Sequence, residues 1–172
     1  KGYQMTKKLL EIERKRQLTN NIEELIKRLQ DLGFELHSNL HEIDTYYSRP
    51  DVDFMQTVEC LRIRQRDGFA EVTYKPATTT ATHTKNDVII KPETNLPIQP
   101  GDATTAKQLL ANLGMVQLVE VNKYRRSFQS PDFPKATVTI DEIKDAGTFV
   151  EVEVLSDDET SALAMISDIE TK

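Results

Sequence analysis

With 172 residues, 19.6 kDa, 38% hydrophobic and 29% charged side chains, the chain has the make-up of one soluble globular domain that needs no staples. A lone cysteine, Cys60, excludes a disulfide scaffold and suits a reducing, cytoplasmic setting; no signal-peptide pattern and no apolar run of roughly 20 residues points to export or a membrane. The net charge of −6 argues against binding long nucleic acid, and the absence of Trp leaves a base-stacking platform poorly supported, whereas a compact polyanion remains compatible.

Taken in order, Lys1 to Lys8 is polar and reads as a leading tail, followed by a strand over Leu9 to Lys15. Thr19 to Leu32 reads as a helix: Thr19 or Asn20 can cap it, Ile22, Leu25, Ile26, Leu29 and Leu32 recur at helical spacing, and Gly33 ends it. Phe34 to Ser48 is strand-like and leads to a turn at Arg49-Pro50-Asp51. Glu59 to Gln65 and Ala70 to Lys75 form a hairpin around Arg66-Asp67-Gly68.

Thr78 to Thr84 is a polar loop. Val88 to Thr94 is expected as one strand, placed at an edge by Pro92, and Pro97 to Gly101 as a connector. A helix follows over Ala103 to Leu113, with Ala106, Leu109, Leu110 and Leu113 on one side and Gly114 behind it. Strands over Val116 to Ser127, Ala136 to Ile143 and Thr148 to Leu155 come next, the last two joined at Lys144-Asp145-Ala146-Gly147. A helix from Asp158 to Ile169 closes the pattern. The halves echo each other without a compositional boundary, so residues 1–172 are read as a single domain.

Side chains along a strand alternate between two faces. On one face lie Glu11, Glu13 and Lys15, then Arg62 and Arg64, Glu71, Thr73 and Lys75, Lys123 and Arg125, Thr137, Thr139 and Asp141, and Glu151 and Glu153; the other face is aliphatic. Strand by strand, the simplest reading is an amphipathic sheet with its charges in water. Taken together, the helices claim the aliphatic face, and the other face mixes acids and bases on nearly every strand. The expected fold is therefore α+β: an antiparallel β-barrel of about eight strands, closed, with helices packed outside and charge within. Buried charges on that scale need partners or a charged ligand, and a metal–polyphosphate complex satisfies bases and acids at once.

The same residues resemble the CYTH domain, the triphosphate tunnel metalloenzyme superfamily. Glu11-Ile12-Glu13-Arg14-Lys15 is similar to its Glu-x-Glu-x-Lys signature. Asp44-Thr45-Tyr46-Tyr47, Leu61-Arg62-Ile63-Arg64, Thr73-Tyr74-Lys75, Lys123-Tyr124-Arg125, Ile140-Asp141 and Gly147 to Glu153 follow in the family's order. The segment from Asp53 to Arg64 is most similar to class IV adenylyl cyclase-like proteins, which convert ATP to cyclic AMP and pyrophosphate; thiamine, inorganic and RNA triphosphatases share the superfamily.

The resemblance, with the charge pattern, implies Glu11, Glu13, Glu151, Glu153 and Asp141 as ligands for Mg²⁺ or Mn²⁺. It implies Lys15, Arg62, Arg64, Lys75, Lys123 and Arg125 as holders of phosphate oxygens, with Glu11, Glu13 and Lys15 nearest the chemistry. The implied partner is a small triphosphate (ATP, tripolyphosphate or thiamine triphosphate) bound by a monomer or homodimer; the alternatives to a cyclase are an inorganic, thiamine or nucleoside triphosphatase and a non-catalytic polyphosphate- or nucleotide-binding module. Lys91 and Glu93 are even candidates for the same face. Asp44 either orients a basic neighbour or caps a strand, and is read as structural; Arg66 and Arg126 are read as peripheral, His37, His41 and His83 as surface residues, and Cys60 as lying on or beside the aliphatic face without a nucleophilic role.

Overall fold

The computed structural model describes residues 10–19, 21–78 and 89–171. In chain order the elements are β1 (Leu10–Gln17), α1 (Ile22–Asp31), β2 (Glu35–Ser48), α2 (Phe54–Thr57), β3 (Cys60–Arg66), β4 (Phe69–Lys75), β5 (Ile89–Lys91), β6 (Thr94–Ile98), α3 (Ala103–Asn112), β7 (Val116–Gln129), β8 (Ala136–Ile143), β9 (Gly147–Ser156) and α4 (Glu159–Thr171). The leading tail and most of the polar loop, including His83, lie outside the described residues.

All nine strands belong to one antiparallel sheet in the order β5-β1-β9-β8-β7-β2-β3-β4-β6. The sheet curls until its two ends meet through side chains: Lys75 Nζ on β4 lies 2.8 Å from Glu11 Oε1 on β1. Backbone closure is not found among the described residues, because β5 and β6 are the two edges and do not pair with each other. This corrects the expected closed ladder of about eight strands to a curled sheet of nine.

The expected strand over Val88 to Thr94 and the connector at Pro97 to Gly101 are corrected too. Pro92 has no N–H to donate, so the chain breaks into β5 and β6 there, and β6 carries Pro97 as an edge strand can. The structure also adds α2, one helical turn that the sequence pattern does not predict. Its N-terminus is capped by Asp53, whose carboxylate accepts from Met55 N–H at 2.9 Å.

Helices cover the convex face in two places. Ile12 of β1, Val138 and Ile140 of β8, and Val152 and Val154 of β9 pack beneath α1 and α4, with Leu29, Ala162 and Ile166 from those helices. A smaller cluster joins Tyr47, Ile63 and Ala70 to Ala103 of α3. The α1 cap is Asn21, whose side chain accepts from Glu23 N–H at 3.0 Å; Thr19 precedes it and Asn20 lies outside the described residues. Gly33, at φ +79°, ends the helix in the left-handed conformation that glycine adopts without penalty.

The stripe expected on α3 is rotated. Ala103, Ala106 and Leu110 face the sheet, whereas Leu109 and Leu113 are 57% and 69% exposed. At 100° per residue, Leu109 falls about 60° outside the stripe through 103, 106 and 110, and Leu113 stands past the last helical residue as the C-cap.

Ile140 is fully buried, so Ile140→Ala should cost about 2–5 kcal/mol in chemical denaturation. Leu109→Ser should shift stability by no more than about 0.5 kcal/mol, since its side chain stands in water. A large loss for Leu109→Ser would mean that α3 sits in the other rotation.

Candidate active site: a charged cavity inside the curled sheet

Curling turns the charged alternation inward, around a cavity of about 370 Å³. One wall is acidic: Glu11 and Glu13 come from β1, Glu151 and Glu153 from β9. The facing wall is basic, with Arg62 and Arg64 from β3 and Lys123 and Arg125 from β7. Lys15 and Lys75 join the two, and the β5–β6 link adds Lys91 and Glu93, which thereby share the charged face.

Strand register decides which acids meet each other. Glu13 lies directly opposite Glu153, and Lys15 directly opposite Glu151. Carboxylate oxygens of Glu11, Glu13 and Glu153 come within 4.8 Å of one another, which is a set that could hold a divalent cation. Burial and the neighbouring Glu11, Glu151 and Glu13 push the Glu153 carboxyl up to about 8. A hard cation would answer the same repulsion.

The other two acids implied as metal ligands lie outside that trio. Asp141, 1% exposed, accepts from Arg125 Nε and Nη2, both at 2.7 Å. Glu151 lies 3.5 Å from Lys15 Nζ. Both therefore sit among cations, with their carboxylates directed at bases.

A layer of buried acids supports the basic wall. Asp44, 0% exposed, takes both nitrogens of an Arg64 fork at 2.7 Å and receives Lys123 Nζ at 3.1 Å. Burial alone would raise the Asp44 carboxyl, but Arg64, Lys123 and Arg62 outweigh it and hold it far below the usual carboxylate range. Of the two roles open to it from sequence, Asp44 takes that of orienting a base. Glu42 lies beside it, 3.4 Å from Arg64 and 3.5 Å from Lys123. Its Oε2 has these cations nearby yet none in hydrogen-bonding geometry.

Arg62 differs from its neighbours. Its side chain is 14% exposed, its buried Nε has no hydrogen-bond partner, and it pairs with Glu93 at 3.6 Å. Burial disfavours its charge, but Asp44, Tyr46 and Glu93 hold the guanidinium protonated. It is thus a desolvated fork with donors to spare. Lys123 is pulled downward by burial and by Arg125. Lys75 is held upward despite burial by Glu13, Glu11 and Glu93.

Sequence reasoning gave no site role to Glu42, Tyr46 or Glu59. The signal was present in β2, where Glu42, Asp44 and Tyr46 alternate with Ile43, Thr45 and Tyr47. Two other readings are corrected. Cys60 shares the phase of Arg62 and lines the charged cavity, with burial raising its thiol. Arg66 reaches Glu42 at 3.3 Å and stacks on Phe69, because it continues the phase of Arg62 and Arg64. Arg126 does point outward and pairs with Glu142 at 3.3 Å. His41 is exposed beside Asn122, and His37 is exposed as well.

Val58, at the cavity edge, holds φ +55°, a left-handed conformation that costs a β-branched residue roughly 1–2 kcal/mol. Its carbonyl accepts from Lys91 Nζ, so the turn serves to aim a backbone oxygen at a cavity lysine.

Removing Asp44 should reveal what the buried layer contributes. A carboxyl depressed by folding adds stability above its unfolded pKa of about 3.8 and loses it as pH falls toward the folded value. Asp44→Asn should cost about 3–5 kcal/mol at pH 7, and the deficit should shrink steadily below pH 4. Denaturation at pH 7 and pH 3 measures both; an equal deficit at the two would show that the Asp44 charge is not what holds Arg64.

The sequence profile of the CYTH domain matches residues 9–172. The Methanocaldococcus jannaschii protein named "Putative adenylate cyclase MJ0240" is 30% identical over 129 residues, 75% of this chain and 68% of that one. The PH1819 protein of Pyrococcus horikoshii OT3 has a similar structure, with a TM-score of 0.73 at 26% identity over 94% of this chain and 86% of its own. A Hippeastrum protein reported to have a dominant triphosphatase activity shares the fold at a TM-score of 0.64 and 15% identity, over 94% of this chain and 85% of that one. By its profile match and this degree of identity, the chain belongs to the CYTH domain family.

Proposed function

We propose that this chain is a metal-dependent enzyme acting on a small triphosphate in the charged cavity, in the manner of class IV adenylyl cyclases, with ATP as substrate and cyclic AMP and pyrophosphate as products. One observation carries this: an acidic wall and a basic wall face each other across a single cavity. A pure anion site would have little use for three clustered glutamates, and a pure cation site little use for Arg62, Arg64, Lys123 and Arg125.

In this reading Glu11, Glu13 and Glu153 hold Mg²⁺ or Mn²⁺, with Glu151 and Asp141 close behind. The bound cation supplies charge neutralisation on phosphate oxygens and polarises a phosphorus–oxygen bond. Arg62 offers its unpaired donors to the phosphate chain. Arg64 and Arg125 present guanidiniums already oriented by Asp44 and Asp141, so little side-chain freedom is lost on binding. Lys123 and Lys75 add charge in the middle, and Lys15, with its side chain 42% exposed, stands near the mouth. Positioning and charge are most of what phosphoryl chemistry asks of a protein.

Hydrolysis is the second reading, and it has an observation in its favour. Among the described residues Tyr46 is the one aromatic side chain lining the cavity, so the walls grip a phosphate chain far better than they would stack a base. Attack by a ribose 3′ oxygen would make the protein a cyclase, and attack by water a triphosphatase like the activity reported for the Hippeastrum protein. Incubation with Mg²⁺ or Mn²⁺ and ATP, tripolyphosphate or thiamine triphosphate separates them by product.

Glu11→Gln and Glu13→Gln should each abolish metal-dependent turnover while leaving the fold intact. Unchanged turnover in both would remove these acids from the mechanism. Arg62→Ala should weaken triphosphate binding by about 1.5–3 kcal/mol, a loss of roughly 10–150-fold in affinity by calorimetry.

Tripolyphosphate at about 100 times its Kd should stabilise the protein by about 2.7 kcal/mol, raising Tm by roughly 5–10 °C, while inorganic phosphate does much less. Equal melts in the two anions, with and without Mg²⁺, would overturn the triphosphate reading.

A further inference from the structure

Lys75 stands on the carboxylates that a cation would use. Its Nζ lies 2.8 Å from Glu11 Oε1 and 3.8 Å from Glu13 Oε2. It thus meets two of the three glutamates whose oxygens cluster within 4.8 Å of one another. Those three share the β1–β9 ladder, whereas Lys75 arrives from the end of β4, on the far side of the seam. Among the described residues β4 pairs with β3 and β6 and not with β1, so side chains alone make the contact.

A second resting place lies beside the first. Glu93 Oε2 is 3.4 Å from the same ammonium, and Glu93 Oε1 is 3.6 Å from Arg62 Nη2. Glu93 does not belong to the glutamate trio. An ammonium on a flexible stem can turn from one acceptor to another, where a guanidinium fork is fixed by its geometry. Lys75 can therefore release Glu11 and Glu13 while keeping Glu93, which also holds Arg62.

We propose, building on the reading of Glu11, Glu13 and Glu153 as the cation site, that Lys75 competes with the divalent cation for Glu11 and Glu13. Two positive charges on the same carboxylates repel strongly where water is partly excluded, so the lysine must yield as the cation binds. Its charge then passes to the side of the cavity where Glu93 and Arg62 lie, and there it meets the phosphate chain. Lys75 is in this sense a positioning residue for both ligands: it keeps the acids compensated, and its release couples cation loading to the grip on phosphate.

Calorimetric titration of Mn²⁺ into the full chain, with no triphosphate present, tests the competition. Lys75→Met keeps the apolar stem and Lys75→Gln keeps a donor, and both remove the charge. Each should bind Mn²⁺ roughly tenfold tighter than the wild type. A given Mn²⁺ concentration should also raise their Tm further, because tighter binding stabilises the folded state more. Lys15→Met is the control: Lys15 lines the same cavity but lies near Asp141 and Glu151, so its loss should change Mn²⁺ affinity much less. On the wild-type chain, which needs no substitution, Mg²⁺ should speed reductive methylation of Lys75 as read by mass spectrometry. A purely structural role for Lys75 predicts the opposite sign, with loosened acids and weaker Mn²⁺ binding. Unchanged or weaker Mn²⁺ affinity in folded Lys75 variants, an equal gain in Lys15→Met, or a methylation rate indifferent to Mg²⁺ would overturn the competition and leave the acids as a cation site. Mn²⁺ binding to none of these proteins would overturn the cation site and the competition together.

Discussion

Three carboxylates almost out of contact with water, those of Glu42, Asp44 and Asp141, hold the concave face of this protein in order. Moving a lone charge into such a place costs several kcal/mol, so each acid exists there only because cations surround it. Arg64 and Arg125 are gripped at both ends of their forks, and Lys123 sits between Asp44 and Asp141 at 3.1 and 3.7 Å. The consequence reaches outward. Guanidiniums tethered from behind can face a ligand without reorganising, which is the condition for strong electrostatic stabilisation in a site partly shielded from water. Arg62, the one cavity guanidinium among these without such a tether, is also the one with donors left over.

The same demand for pairing shapes the seam where the sheet's ends approach. Pro92 interrupts the chain between the edge strands β5 and β6, and no ladder joins them among the described residues. Lys75 spans the gap, 2.8 Å from Glu11, 3.8 Å from Glu13 and 3.4 Å from Glu93. Closure in this region is thus electrostatic, through side chains, and the residues that make it are those that line the cavity. Charge brought in by a ligand acts on the seam directly. Each end of the cavity wall is tied to the chemistry in this way, whereas the convex face is held by aliphatic packing under α1, α3 and α4. None of the described helices is long and apolar enough to cross a membrane.

Strand β1 shows how economical the arrangement is. Its odd residues furnish acids and Lys15 to one cavity, Ile12 anchors the larger core, and Arg14 and Arg16 border a second cavity under α1. These residues serve three surroundings because the pleat sends neighbouring side chains to opposite faces.

Alternation in Glu11-Ile12-Glu13 and in Arg62-Ile63-Arg64 determined by itself which side chains share a face, because a strand's period of two leaves no other choice. The aliphatic alternates likewise determined where helices would pack, and opposite signs on the charged face pointed to a ligand with both cationic and anionic parts. Distance along the chain could not say which acids would touch. Tertiary register placed Glu13 against Glu153 and Lys15 against Glu151, so one pair of glutamates joined Glu11 in a cluster while Glu151 met a lysine. Nor could local pattern rank Asp44 above a capping role, rotate α3 away from Leu109, or show that Pro92 splits one strand into two edges. Each depended on partners distant in sequence, and a buried charge or a helix face takes its meaning from what folding brings opposite it.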